Sequence, residues 1–285
     1  MAEYFSLQAA LCFATSHILI RRGLETSNSI TASLISLGLT ALTTWIMVPF
    51  LVSVSSFWTP ALWYFIAAGI FAPGLGRILN YMGIERVGVA RAVPVSNSSP
   101  MFASLLAVFL LGERWTLQNV LGTSLVIVGL VILSQTRTAK TQWRRVDLIY
   151  PFLSALSFGI SSVLRKRGLI MANLPVMAAA VAAITAFLFA IALLQAQGGS
   201  KDLKLSRPSL GWFFVGGLTN TAATLSVFYA LSFGKVVVVE PLVSTNPVLS
   251  ILLSAIFLKD LEAITSRVVV GALCTVAGTL LVVTL

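Results

Sequence analysis

The sequence predicts an all-α integral membrane protein with ten transmembrane helices arranged as two inverted five-helix repeats. Three observations carry this reading. The 285 residues are 58% hydrophobic and 10% charged, with a mean hydropathy of +0.96, whereas globular domains carry roughly 25% charged residues. Apolar runs long enough to cross a ~30 Å hydrocarbon layer follow one another with short polar joins. One stretch is also written twice, as Pro94-Val95-Ser96-Asn97-Ser98-Ser99-Pro100 and Pro241-Leu242-Val243-Ser244-Thr245-Asn246-Pro247.

Each apolar run reads as a helix, because a barrel would need short alternating strands. The first, 4–20, carries Ser16 and His17 and ends at Arg21-Arg22. It has no positive leader before it and no small-residue cleavage site after it, so it is expected to remain as a span. The second covers 30–52. The third, 61–82, is loosened at Pro73-Gly74-Leu75-Gly76 and then carries Arg77, Asn80 and Tyr81. The fourth, 88–111, holds Arg91 and the first double-proline run. The fifth, 116–134, has Gly122 and Gly129 one heptad apart, a spacing that lets helices approach closely. The sixth, 148–166, bears Ser154, Ser157, Ser161 and Ser162. The seventh covers 173–195. The eighth, 210–231, carries Thr219, Asn220, Thr221, Thr224 and Tyr229. The ninth, 236–258, holds Glu240 and the second double-proline run. The tenth, 266–284, repeats the glycine heptad as Gly271 and Gly278.

The longest polar joins are 135–147 and 198–208, and the first falls near the middle of the chain. The halves align on more than the prolines. Arg22-Gly23-Leu24 matches Arg167-Gly168-Leu169, Leu11-Cys12-Phe13-Ala14 matches Leu156-Ser157-Phe158-Gly159, and Tyr81 matches Tyr229. These matches keep their order. The expected division is a first repeat at 1–135, a basic linker at 136–147 and a second repeat at 148–285. Five spans per half is an odd number, so the second half must enter the membrane upside down, an arrangement associated with alternating access.

Two five-span repeats, a proline-bearing fourth span running into Leu110-Leu111-Gly112-Glu113-Arg114, and a glycine-spaced fifth span together resemble the EamA branch of the drug/metabolite transporter superfamily. The resemblance covers nearly the whole chain and is best over 98–134. The second half departs from the Leu-Gly-Glu end, reading Leu258-Lys259-Asp260-Leu261-Glu262. The resemblance implies export of small metabolites, often amino acids. Such families share fold more than cargo.

The net charge of +10 reads as loops facing the cytosol. It does not point to nucleic acid, because no basic run is interleaved with a soluble fold. With ten spans, the loops carrying Arg114, Arg165, Lys166, Arg167 and Lys235 share a face with both termini, and the opposite face holds more than twice as many positive residues. The positive-inside rule then places both termini outside, while the family resemblance favours cytoplasmic termini. The expected location is the cell (inner) membrane, as a multi-pass monomer or homodimer in the lipid bilayer. Trp45, Trp58, Trp63, Trp115, Trp143 and Trp212 fall near predicted span ends, as in interfacial belts. Cys12 and Cys274 lie in apolar runs and read as core residues.

A proline inside a helix frees the carbonyl four residues earlier. In lipid, protein or water must satisfy that group. The expected free carbonyls are those of Ala90, Ser96, Val237 and Val243. Interrupted spans in matching places of two halves point to a transporter's central site. The substrate-binding candidates are therefore Ser16, His17, Arg77, Asn80, Tyr81, Asn97, Ser98, Ser161, Asn220, Tyr229, Thr245 and Asn246. The helix-break or gating candidates are Pro94, Pro100, Pro241, Pro247, Arg91 and Glu240. Ionisable groups inside spans are costly and default to functional roles, although snorkelling to an interface is the competing reading for Arg91 and Glu240. Inversion puts Arg91 and Glu240 near opposite faces, so they are not expected to pair. Hydroxyls also hold helices together without touching cargo.

No metal site and no cofactor are expected, since His17 is the one histidine and has no second ligand in view. No nucleotide-binding Gly-x4-Gly-Lys-Ser/Thr run is present, which argues against an ATP-driven pump. The expected function is secondary transport of a small polar or amphipathic metabolite, foremost an amino acid for export, through a central cavity with few charges. A dianion finds little to hold it, because spans four and nine offer Arg91 as their one basic residue. No deep mid-span acid marks an ion relay, so uniport or exchange ranks beside coupled export. A passive channel is the alternative. An integral-membrane enzyme ranks below it, because it would need clustered acids or a His/Asp set facing one cavity.

Overall fold

The computed structural model describes residues 1–53, 58–112, 116–134, 144–196, 203–257 and 266–283. Its regular structure is helical: α1 (Ala2–Gly23), α2 (Ser29–Leu51), α3 (Ala61–Gly69), a π-helical turn (Ile70–Leu75), α4 (Gly76–Val87), α5 (Val89–Ser96), α6 (Ser99–Leu111), α7 (Leu117–Ser134), α8 (Ile149–Met171), α9 (Pro175–Ala196), α10 (Arg207–Phe233), α11 (Val236–Val243), α12 (Asn246–Phe257) and α13 (Ser266–Val283). Glu113, Arg114, Trp115, Trp143, positions 135–143 of the linker and 258–262 at the end of the second half lie outside the described residues, as does the side chain of Pro94.

Local chemistry sets the boundaries. Asn28 caps α2 by accepting from the Thr31 amide at 3.1 Å, and Ser206 caps α10 through Ser209. Both satisfy amides that a helix start leaves open. Gly88 adopts φ 82° between α4 and α5, and Gly112 closes α6 at φ 69°. Only glycine enters these regions cheaply.

Among the described residues, six helical tracks are long and apolar enough to cross a membrane: Ser29–Leu51, Ala61–Val87, Arg145–Met171, Pro175–Ala196, Arg207–Phe233 and Val236–Ser254. Ser99–Leu111 and Val269–Gly278 are shorter apolar helices. The expected count of ten is not reached by this criterion. The fourth expected span is divided into α5 and α6, as the ninth is into α11 and α12. Several helices also outrun their apolar stretch. α1 continues to Gly23 and α8 to Met171, because arginine and lysine are good helix formers and their stems remain apolar.

The surface and interior invert the pattern of a soluble protein. Phe50, Trp58, Trp63 and Phe109 face outward, while the interior holds Ser16, Thr40, Thr44, Ser154 and Ser161. Lipid supplies no hydrophobic drive between helices, so small residues do the packing. α9 is the clearest case. Its Ala178, Ala179, Ala182, Ala183 and Ala186 are fully buried, and it packs on α2, α3 and the π turn. A Cβ on Gly69 would sit 2.5 Å from the Ala182 carbonyl oxygen.

The contacts between halves are reciprocal. α1 packs on α10 as α8 packs on α3 and α4, and α6 packs on α8 as α12 packs on α1. The repeated Arg-Gly-Leu motif has its explanation here. Gly23 lies against the ring of Phe213, and its counterpart Gly168 lies against the ring of Phe65. A side chain at either glycine would occupy space the ring fills. α7 and α13 form a further contact between the halves. α5 packs on α12 and α11 on α6. The start of each broken helix thus meets the end of the other, and the two run antiparallel.

Candidate functional site

The two double-proline runs fold alike. Each makes a short helix, a two-residue step and a longer helix. The steps fall at Asn97-Ser98 and Ser244-Thr245. Pro100 and Pro247 each sit at the second position of the following helix, where a missing amide costs little. Pro241 lies inside α11. Asn97, Ser98 and Ser244 of the steps are buried and Thr245 is half-buried, and the two runs meet. Asn97 Nδ2 donates to Asn246 Oδ1 at 3.1 Å, and Asn246 Nδ2 donates to Asn97 Oδ1 at 2.7 Å. Asn246 also donates to the Val243 carbonyl at 3.2 Å, one of the four expected to be freed. Ser98 and Thr245 hydroxyls bond back to the Val95 and Leu242 carbonyls.

A central cavity of about 80 Å³ opens beside this crossing. Eight expected residues line it: His17, Arg77, Asn80, Tyr81, Asn97, Asn220, Glu240 and Asn246. An amide and hydroxyl network joins them. Asn80 Nδ2 is 3.3 Å from His17 Nε2, Ser96 donates to Asn80 Oδ1 at 2.8 Å, and Asn220 Nδ2 is 3.3 Å from the Tyr81 hydroxyl. Asn220 Oδ1 and His17 Nδ1 are buried with no hydrogen-bond partner among the described residues.

The other expected residues lie elsewhere. Ser16 is one layer back, donating to the Gly216 carbonyl at 2.8 Å. Tyr229 stacks on Phe5 with centroids 5.3 Å apart. Ser161 donates to the Ala68 and Ala72 carbonyls at 2.9 and 2.8 Å. It therefore mends the break in the third span, where Ala72 leaves helical geometry at φ −152° and ψ 124°. Ser98 and Arg91 are buried and Thr245 is half-buried, all three outside the cavity wall, and Arg91 donates to the Val87 carbonyl at 3.3 Å.

Three expectations need correction. The cavity is not poor in charge, since Arg77, Arg165 and Glu240 all line it. Arg165 does not belong to a loop that sets orientation. α8 carries it inside, where it is 7% exposed. It donates to the Ala72 carbonyl at 2.6 Å and lies over the Phe228 ring at 4.9 Å. Glu240 accepts a hydrogen bond from the Ser162 hydroxyl. Arg77 donates to the hydroxyls of Ser36, Thr40 and Thr224 at 3.3, 3.2 and 3.3 Å. Glu240 is thus a deep acid, which the sequence reading did not expect. Phe13, Phe158 and Val227 give the wall its apolar part.

The amide pair permits a direct test. Asn97→Leu or Asn246→Leu alone strands the partner's amide oxygen in the interior and is expected to cost about 1–3 kcal/mol. The double variant should cost less than the sum of the two. Thermal melting of all four proteins would measure this coupling, and strict additivity would deny it.

Comparisons with known proteins agree with this architecture. The model of the EamA-like transporter family matches residues 1–135 and 147–284. A solved crystal structure superposes over 99% of this chain and 97% of its own, with a TM-score of 0.73 and 18% sequence identity. That likeness concerns the fold alone. No curated protein matches in sequence.

Proposed function

Since this chain belongs to the EamA-like transporter family, we propose that it is a secondary transporter of a small polar or amphipathic metabolite, foremost an amino acid, working by alternating access. The reading takes the protein as ten spans in two inverted five-helix repeats, with the cavity between them as the cargo site. One observation carries it. Two helices broken at matching places cross antiparallel at a buried polar cavity, joined through Asn97 and Asn246. A passive channel would need no such paired break, whereas alternation uses each break as a place where the backbone bends.

The cavity's mixture of amides, hydroxyls, aromatic rings and both signs of charge suits a molecule with an ammonium, a carboxylate and a modest side chain. Export across the cell (inner) membrane is the direction the family resemblance implies. Pro247→Ala would let α12 extend backward through the step and stiffen the break. It is expected to slow radiolabelled amino-acid flux in proteoliposomes more than it lowers folded yield. Wild-type flux in this variant would remove Pro247 from the mechanism.

A further inference from the structure

The charge on the cavity wall narrows the cargo further than its polarity does. Guanidinium groups stay protonated in proteins. Arg77, Arg165 and Glu240 therefore sum to one positive charge when Glu240 is ionised and His17 is neutral. Protonating either residue raises the sum. The helix breaks supply no net offset, because each ends one helix and begins another, so their dipole ends oppose.

The two arginines are not equivalent. Arg165 donates to the Ala72 carbonyl and lies over the face of Phe228. Arg77 is 4% exposed and holds three hydroxyls and, among the described residues, no carboxylate. Hydroxyls orient a guanidinium but do not neutralise it. A buried charge left in this state is costly, and a counter-ion relieves that cost.

We propose that the cargo is an organic monoanion whose carboxylate binds Arg77 and whose charge of −1 neutralises the wall. This rests on the transporter reading of the same cavity. Glu240 accepts hydrogen bonds and repels anions, so the end of the cargo nearest it is an ammonium or a neutral donor. An amino acid that satisfies both ends carries a second carboxylate, and a plain hydroxy acid satisfies Arg77 alone.

The test compares charged and neutral isosteres on the purified full-length protein at constant ionic strength. Glutamate is set against glutamine, lactate against lactamide, and glycerol phosphate serves as a dianion. Melting shifts and titrated Kd values are the readouts. The anion of at least one pair should bind about tenfold more tightly than its neutral partner, the scale of a single modest charge interaction. The preference should vanish in Arg77→Gln. Should that variant not fold, Thr224→Val weakens the hold on the same guanidinium, and the wild-type comparison stands by itself. Lactate binding without glutamate binding keeps the charge inference and removes the amino-acid reading. Glutamine binding as well as or better than glutamate does the reverse. Tightest binding by glycerol phosphate, or no shift with either monoanion, overturns the inference.

Discussion

Arg165→Met is expected to abolish flux and to lower the melting temperature markedly. The arginine donates to the Ala72 carbonyl at the break in the third span, covers Phe228, and lines the same cavity as Glu240. Methionine fills much of the volume but leaves the Ala72 carbonyl without its donor and the cavity wall that holds Glu240 with one cation fewer. Removing one member of a buried charge pair costs about 3–5 kcal/mol, whereas removing both is often close to neutral. The double variant Arg165→Met/Glu240→Gln should therefore regain most of the lost stability and still fail to transport. Melting of the single and double variants, with flux in proteoliposomes, separates the two effects. A double variant that melts as low as the single would show that Arg165 acts through the Ala72 carbonyl and not through Glu240.

Gly129→Val should produce the second large effect, a loss of folded protein. A Cβ at Gly129 would stand 2.5 Å from Thr275 Oγ1 and 2.6 Å from the Gly271 carbonyl oxygen. The obstruction includes backbone, which no rotamer change can move aside, so α7 and α13 must separate. Gly211→Ala is the matched control, because nothing lies within 4 Å of its added carbon. Monodisperse yield after extraction in mild detergent is the measurement. Equal yield from the two variants would mean that the α7–α13 seam does not hold the halves together.

Much of this arrangement was legible in the residues. The double prolines located the steps at 97–98 and 244–245, since proline removes a donor wherever it stands. The glycine heptads marked α7 and α13 as helices that pack closely, and the structure pairs them with each other. Arg165 was not legible by hydropathy, because Arg165-Lys166-Arg167 resembles the polar end of a span. Helical periodicity held the missed signal. Phe158, Ser162 and Arg165 recur at i, i+4 and i+7 on one stripe, and all three line the cavity. The roles of Ser161 and Tyr229 were hidden for another reason. A buried hydroxyl facing a broken backbone and one facing a ligand look alike in one dimension, and only the partner's position tells them apart.

The break at Ala72–Pro73 has no counterpart in the second half, where α10 runs unbroken from Arg207 to Phe233. The pseudo-symmetry thus fails beside the cavity. Under the proposed alternation, the inward-open and outward-open forms are not mirror images, because one repeat carries a break that the other repeat lacks. Their energies differ before any cargo arrives, and the empty carrier has a preferred resting side written into its own backbone.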